Sequence, residues 1–572
     1  MHPEQGDAMR LTKIVCTLGP ACEDIDVLDK MIRSGMDVVR LNFSHGSYEE
    51  HETTLTRVRA AAKSLGKTVA VIQDLCGPKI RVGPVAGGET EFATDSSVRF
   101  YREGVEADPG QFSCTWPDVV RDLKLGDRVL LNDGRVRMIV VAVEEDRVTC
   151  HVSEGGKVLP GKGVNLPGVQ LSMAALTEKD RADLDWGLAH DVDYVALSFV
   201  RSADDVLALR RILHESGTDI HVIAKLEKPE AIEKLKEIIE VSDAVMVARG
   251  DLGVEMPLER IPGIQKQIIR AATRQGKPVI TATEMLQSMI EHPTPTRAEV
   301  TDVANAILDG SDAVMLSGET AVGRYPLKSV LTMARIAEEA DHMRADLAGT
   351  QASLMETSDM PMTEAIAIGA RGILRKIPAK LVAVGTHSGH TARILSKEDL
   401  AVPILATSDD LRACRRMVLY RGVIPVQLEG VMDLDQMLSE IERVAIERKL
   451  AVAGDLIVIL GGVPFGKSGT TNTVQVRRLQ ADETAVPASN RARWRFQGAE
   501  KTYDYAVDYL ACIGCGICVK RCPYNIFTMH EEHAFINEAQ LARCILDRTC
   551  ERSCPTGAIT IHEVTETAVT EE

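Results

Sequence analysis

Short apolar runs, each closed by charged or hydroxylated residues, recur along the first half of the chain. The runs at 12–17, 38–43, 69–74, 194–199, 221–224, 244–248, 279–283 and 313–316 have the length and composition of buried strands. Helical stretches separate most of them, and eight such strands predict a closed (β/α)8 barrel. The rhythm breaks from about Gly83 to Pro167, where valine-rich runs alternate with turns such as Asn132–Asp133–Gly134; this predicts an inserted β-rich domain. The barrel resumes near Ser172. Beyond Pro326 a helical region leads into a second α/β segment, with strands expected at 381–384, 402–406, 423–426 and 456–459. The stretch 480–501 is polar and reads as an irregular linker. The expected division is therefore a barrel of 1–82 and 168–340, an insertion of 83–167, an α/β domain of 341–479, the linker, and a compact cysteine-rich domain of 502–572.

The stretch 221–255 concentrates the chemistry. Two strands, joined by a helix expected over 229–239, end in Lys225 and Glu227 and in Arg249, Gly250 and Asp251. Parallel α/β folds build their sites at such C-terminal strand ends. Two carboxylates suit Mg²⁺, which takes few protein oxygens and leaves positions for phosphate. A neighbouring lysine stabilises negative charge developing on a substrate. A surface ion-pair cluster is the competing reading. Other strands end similarly: Arg40, Asn42, Ser44 and His45 follow the second, and Asp74, Lys79 and Arg81 the third. Thr283 and Glu284 follow the seventh, and Ser317 the eighth. Arg40 can clamp a phosphate or carboxylate, while Asn42, Ser44 and Asp74 offer oxygens to a cation. Polar ends on most strands of one sheet predict a site facing a phosphorylated substrate.

Composition narrows the class. The 572 residues, 45% hydrophobic and 26% charged, describe a multidomain globular chain. The net charge of −17 argues against nucleic acid as a partner. No apolar run has transmembrane length and the N-terminus lacks an apolar leader, so a cytoplasmic location without membrane contact is expected.

The segments TKIVCTLGPA, RLNFSHGS, GPKIR, KGVNLPG, IAKLEKPEAI, VARGDLGVE and PTRAEVTDVANAILDGSDAVMLSGETAVGRYP, in this order, resemble pyruvate kinase over roughly residues 10–480. The resemblance implies a TIM barrel, a β-barrel lid inserted in it and an α/β regulatory domain. It also implies transfer of the phosphoryl group of phosphoenolpyruvate to ADP, giving pyruvate and ATP, and assembly as a homotetramer. By resemblance, Glu227 and Asp251 hold Mg²⁺, Lys225 stabilises the transferring phosphoryl group and the enolate, and Arg40 binds the phosphoryl group. Gly250, Asp251 and Thr283 hold the carboxylate, and Asn42, His45, Arg81 and Lys162 meet the nucleotide. Protonation of the enolate is expected through water near Thr283 and Ser317. The rival class is a non-catalytic electron-transfer or sensor protein on the same scaffold.

Two departures stand out. Potassium-dependent members typically carry Thr, Lys and Glu where this chain has Leu75, Cys76 and Lys79. The Lys79 ammonium is expected to replace the monovalent cation that Asn42, Ser44 and Asp74 would otherwise hold, predicting activity without K⁺. Glu284 stands where glutamine is usual. In the α/β domain, Thr386, Ser388 and Thr391 resemble a phosphate-binding effector loop. With His387 and His390 in place of stronger bases, a sugar monophosphate or nucleotide monophosphate effector is expected, beside a vestigial site as the alternative.

Seven of the thirteen cysteines lie between Cys512 and Cys554, a density that reads as metal ligation. Cys512, Cys515, Cys518 and Cys522–Pro523 have bacterial ferredoxin spacing. Cys544, Asp547, Cys550 and Cys554–Pro555 repeat it, with aspartate in the second ligand position. The whole resembles a small α+β two-cluster ferredoxin. That resemblance implies a first cluster on Cys512, Cys515, Cys518 and Cys554, and a second on Cys522, Cys544 and Cys550 with Asp547 as candidate fourth ligand. Because carboxylate is a more labile iron ligand than thiolate, the second centre is expected as [3Fe–4S] or as [4Fe–4S] with an exchangeable iron. A zinc module and a single surviving cluster are the alternatives. Redox sensing or docking, electron carriage to a redox partner protein, and structural use are the candidate roles.

Overall fold

The computed structural model describes the chain outside residues 1–8, 103, 117, 170, 349–359, 431–432, 463–470, 480–490, 498–501, 509–510, 513–514, 531–532, 538–539, 541–543, 545–547, 557 and 565–572. Two compact units result, Met1–Leu479 and Gln480–Glu572.

In the first unit, eight parallel strands close into a barrel: β1 Lys13–Thr17, β2 Val38–Asn42, β3 Ala70–Asp74, β4 Tyr194–Leu197, β5 His221–Leu226, β6 Ala244–Ala248, β7 Val279–Ala282 and β8 Ala313–Leu316. Each pairs with its sequence neighbours, and β8 closes on β1 with Ala313 opposite Lys13. Both faces of a parallel barrel strand are covered, so near-continuous apolar runs suffice to make one. Side chains alternate between two cores. Ile14, Val39, Val71, Val222 and Ala224 face the surrounding helices. Val38, Ala70, Ile72, Ile223, Ala244 and Met246 fill the interior. That interior core continues into the α/β domain, through residues such as Met417 and Tyr420. The Tyr194 hydroxyl donates to the Arg416 carbonyl at 2.7 Å, and Lys13 Nζ to the Val423 carbonyl at 2.7 Å.

Alternation then places the functional residues. Continuing outward from Val38, Ile72 and Ile223, the next inward positions are Arg40, Asp74 and Lys225. The apolar fill gives way there to a charged layer at the C-terminal mouth.

The insertion forms a six-stranded sheet and a two-stranded ribbon around its own core of Phe92, Phe100 and Phe112. The α/β domain has the order Val423–Gln427, Ile404–Ser408, Ala379–Gly385, Leu456–Gly462, Thr471–Arg478. Its last strand, antiparallel to its neighbour, is an addition to the four expected. Three other expectations change. Lys225 lies within β5, one residue beyond its expected end. The helix expected over 229–239 is two helices, Pro229–Glu233 and Leu235–Val241, parted at Lys234 with φ −102° and ψ 23°. The stripe of Ala231, Leu235, Ile238 and Ile239 keeps helical spacing across the break, so the pattern alone showed one helix. The helix Pro326–Ala348 runs through residue 340, where the barrel was expected to end.

In the second unit, part of the expected linker is structured. Arg491–Gln497 is a strand, antiparallel to Thr502–Asp508, which pairs in turn with Ile559–Val564. The alternation of Ala492, Trp494 and Phe496 with arginines is strand-like, and the polar composition hid it. Helices Ile517–Arg521 and Thr549–Ser553 each follow a left-handed residue, Gly516 at φ 65° and Arg548 at φ 56°. The short helices of the two cysteine runs thus begin in the same way.

Candidate active site and cysteine-lined cavities

β2, β3 and β5 deliver Arg40, Asp74 and Lys225 to one charged layer. Arg40 Nε donates to Asp74 Oδ2 at 2.5 Å, and Arg40 Nη1 to Thr17 Oγ1 at 3.0 Å. Lys225 Nζ lies 3.4 Å from Asp74 Oδ1, 2.9 Å from Glu227 Oε1 and donates to Ser198 Oγ at 2.7 Å. Burial alone would lower the Lys225 pKa, but Asp74 and Glu227 outweigh it and hold the ammonium above the ordinary lysine value. Asp74 is buried too, yet Arg40 and Lys225 bring its carboxyl below the usual range. The ammonium is therefore a permanent charge, fit to meet an anion.

Glu227 is fully buried, and burial followed by repulsion from Asp251 raises its pKa against the pull of Lys225. Its Oε2 accepts from the Phe199 amide at 2.9 Å, while Oε1 accepts no hydrogen bond despite the lysine beside it. A buried carboxylate oxygen that is ion-paired with Lys225 but not hydrogen-bonded, with the Asp251 carboxylate nearby, fits a Mg²⁺ ligand set. Asp251 lies in the first turn of the helix Arg249–Glu255, which directly follows β6. The Gly250 amide donates to Thr283 Oγ1 at 2.8 Å, joining the ends of β6 and β7. Thr283 and Glu284 have φ of 68° and 55°, two successive non-glycine residues in the left-handed region. Such strain concentrates at functional sites. Arg249 braces this turn, donating to the Thr283 carbonyl at 2.8 Å while paired with Asp302 at 2.7 Å. Ser317 Oγ is buried without a hydrogen-bond partner.

A basic patch lies beside this layer. Burial, then the nearby cations Lys79, Arg81 and Arg40, lower the His45 pKa. Asn42 Oδ1 accepts the Ser44 amide at 3.2 Å, and Lys79 Nζ donates to Ser44 Oγ at 3.3 Å. Arg81 Nη1 donates to the Gly161 carbonyl at 2.8 Å, next to exposed Lys162.

The effector loop is brought together only in part. Thr386 Oγ1 accepts the Gly389 amide at 3.1 Å, and Ser388 is exposed beside it. Thr391 is buried and its hydroxyl meets that of Thr471 at 2.8 Å, a structural contact between helix and sheet. His387 is tied to Asp409 at 2.8 Å, so the loop carries a carboxylate that offsets the histidine.

In the second unit, the cysteines separate into two cavities. One is lined by Cys512, Cys515, Cys518 and Cys554, the other by Cys522, Cys544 and Cys550. Among the described residues, no three His, Cys, Asp or Glu side chains form a single-ion site; the thiols stand around cavity walls. Soft thiolates facing a cavity fit an iron–sulfur cluster. Asp547 lies outside the described residues. Tyr505 meets Cys544 Sγ at 2.9 Å, and its phenol pKa is raised by burial and by that contact.

Sequence reasoning missed Ser198, Phe199, Lys228, Glu255 and Tyr505, and it named Arg249 without its bracing role. Ser198 follows the apolar run of β4 and could have been found by the rule that found Arg40. The Phe199 amide, Glu255 and Tyr505 have no local signal.

Family models match over three segments: "Pyruvate kinase, barrel domain" over 9–330, "Pyruvate kinase, alpha/beta domain" over 364–477, and "4Fe-4S dicluster domain" over 511–558. Pyruvate kinase of Staphylococcus saprophyticus is 43% identical over 482 residues, covering 83% of this chain and 82% of that one. That of Staphylococcus aureus strain MRSA252 is 43% identical over 481 residues with the same coverage. A crystal structure of a pyruvate kinase from Cryptosporidium parvum superposes with a TM-score of 0.79 at 35% identity, covering 82% of this chain and 96% of that one.

Proposed function

The chain belongs to the pyruvate kinase family, and from that premise we propose how its residues share the transfer of a phosphoryl group from phosphoenolpyruvate to ADP. Phosphoryl transfer needs positioning and charge neutralisation more than covalent help. The convergence of Arg40, Asp74 and Lys225 from three strands on one charged layer carries the reading. Arg40, oriented by Asp74 and Thr17, binds the substrate phosphoryl group. Lys225, kept charged by Asp74 and Glu227, stabilises that group in transfer and the enolate left behind. Glu227 and Asp251 would hold Mg²⁺, which when bound neutralises charge on the substrates. The Gly250–Thr283 junction receives the substrate carboxylate, and Asn42, His45, Arg81 and Lys162 receive the nucleotide phosphates. The enolate takes its proton from water held near Thr283 and Ser317. ADP-dependent pyruvate formation, followed through a coupled lactate dehydrogenase, is the test; its absence in the intact, Mg²⁺-supplied chain would favour the non-catalytic class.

The enzyme works without K⁺. Lys79 at Ser44, with Arg40 and Lys225 on the two oxygens of Asp74, supplies positive charge where the monovalent cation would sit. In the α/β domain, Thr386 and Ser388 form a small site for a sugar or nucleotide monophosphate. We place the enzyme in the cytoplasm as a homotetramer; among the described residues no helix is long and apolar enough to cross a membrane.

The two cavities would hold two iron–sulfur clusters, the four-thiol cavity a [4Fe–4S] cluster and the three-thiol cavity a [3Fe–4S] or exchangeable [4Fe–4S] cluster. Iron and sulfide analysis of anaerobically purified protein tests this. The transfer reaction moves no electrons, so the clusters serve redox sensing or docking to a redox partner. From Tyr503 to Glu572 the chain has eleven acidic and five basic residues, which suits steering towards a basic partner. Equal kinase rates with clusters reduced, oxidised and removed would end the sensing role.

A further inference from the structure

The two cysteine cavities are not chemically equivalent, and the difference lies in a residue outside both cysteine runs. Tyr505 sits at the centre of the strand Thr502–Asp508, opposite Ile561 on one side and Trp494 on the other. Its side chain is fully buried and lines the cavity of Cys522, Cys544 and Cys550, with its hydroxyl 2.9 Å from Cys544 Sγ. The first cavity offers no phenol among its described residues. Its walls between the thiols are Ile517, Met529, Ala534, Ala558 and Ile559, and the hydroxyl of Thr556 is 3.7 Å from Cys554 Sγ.

A cysteine bound to iron has lost its proton. Of the two atoms in the Tyr505–Cys544 contact, only the phenol then has hydrogen to give, so the bond runs from the tyrosine O–H to the ligand sulfur. Such a donor withdraws electron density from the sulfur and favours the reduced, more negative cluster, which moves its potential upward. The phenol end of the bond is buried with Tyr505, while Cys544 is partly exposed, and burial strengthens a hydrogen bond. The first thiol set has donors of its own, among them the Thr556 hydroxyl at Cys554, but among its described lining residues no phenol, so the tyrosine bond acts at the second site.

Resting on the two-cluster reading above, we infer that Tyr505 is a positioning residue for the second cluster: it donates a hydrogen bond to the Cys544 thiolate and sets that cluster's potential above the value the same ligands would otherwise give.

The test uses the full chain, purified anaerobically and reconstituted with iron and sulfide, as wild type, Tyr505→Phe and, as the first-cavity control, Thr556→Val. Iron content is measured first, then both couples are titrated with dithionite and followed by electron paramagnetic resonance. The expected result is that Tyr505→Phe keeps its iron and moves one couple to more negative potential, leaving the other in place, while Thr556→Val leaves the couple that Tyr505→Phe moved at its wild-type potential. Two unmoved couples, or two that move together, with iron content unchanged, overturn the inference. If Tyr505→Phe sheds the second cluster, 3-fluorotyrosine placed at position 505 keeps the ring and strengthens the donor. The second couple then moves to more positive potential, and an unmoved couple overturns the inference. A wild-type chain that binds no iron and sulfide overturns the two-cluster reading itself, and iron analysis separates that result from the others.

Discussion

Lys79 Nζ donates to Ser44 Oγ at 3.3 Å, bridging the segments that follow β3 and β2. The ammonium thus stands against one of the oxygens expected to hold a monovalent cation. Lys79→Glu reverses that charge while leaving Asn42, Ser44 and Asp74 in place. Turnover of the variant is expected to rise many-fold when K⁺ is added to a Na⁺- or Tris-only buffer. The wild-type enzyme is expected to run at full rate without K⁺; a many-fold rescue of the wild type would refute the assignment.

Lys225 is the cation common to Asp74, Glu227 and Ser198. Lys225→Met keeps the length of the side chain and removes the charge that meets the transferring group. The expected loss is about 10²- to 10³-fold in kcat, with a much smaller change in KM for phosphoenolpyruvate. The coupled assay separates the two, and a variant with wild-type kcat would remove Lys225 from the reaction.

Glu255 ties the inserted domain to the barrel. Its Oε1 accepts from Lys228 Nζ at 2.6 Å and from Asn165 Nδ2 at 3.3 Å. It ends the helix that begins at Arg249 and includes Asp251, while Lys228 directly follows Glu227, so the contact joins both expected Mg²⁺ ligands to the lid strand Val164–Asn165. Glu255→Ala leaves Lys228 without its carboxylate and should cost about 3 kcal/mol, read as a lower melting temperature. Asn165→Ala, which keeps the ion pair, should raise KM for ADP several-fold with little change in melting temperature. Unchanged kinetics in Asn165→Ala would separate the contact from lid position.

Burial lowers the His221 pKa from 6.5 to about 4, with Asp243 opposing the shift. Between those values the unfolded chain binds a proton that the folded chain refuses, so stability rises with pH across the window and is lost as pH falls from 6.5 towards 4. Melting temperature measured between pH 7 and pH 4.5 should fall less steeply in His221→Asn than in the wild type. Parallel curves would show that other groups carry the acid sensitivity.

Legibility differed between site residues for physical reasons. Arg40, Asp74 and Lys225 could be read because each interrupts or closes an apolar run, and a charge at the end of a buried strand is costly unless used. The cysteine spacing was legible because it repeats along the chain, while the division into two sets, with Cys554 joining the first and Cys522 the second, came from the resemblance to a two-cluster ferredoxin. The Thr391 hydroxyl meets that of Thr471, eighty residues away, a partner that no local pattern announces. Tyr505 drew no reading, since its partner Cys544 is thirty-nine residues distant.

The amino-acid sequence by itself determined the succession of strands, the inserted and appended segments, and which residues carry charge or thiol chemistry. These follow from local periodicity, where period two and short apolar length specify a buried strand. Tertiary structure alone decided which side chains meet. Closing the barrel set Arg40, Asp74 and Lys225 in one layer because three separate strands reach the same depth on the same face. Left-handed backbone at Phe199 and at Thr283–Glu284 depends likewise on neighbours holding it. Those are long-range constraints, imposed only when the whole core has packed.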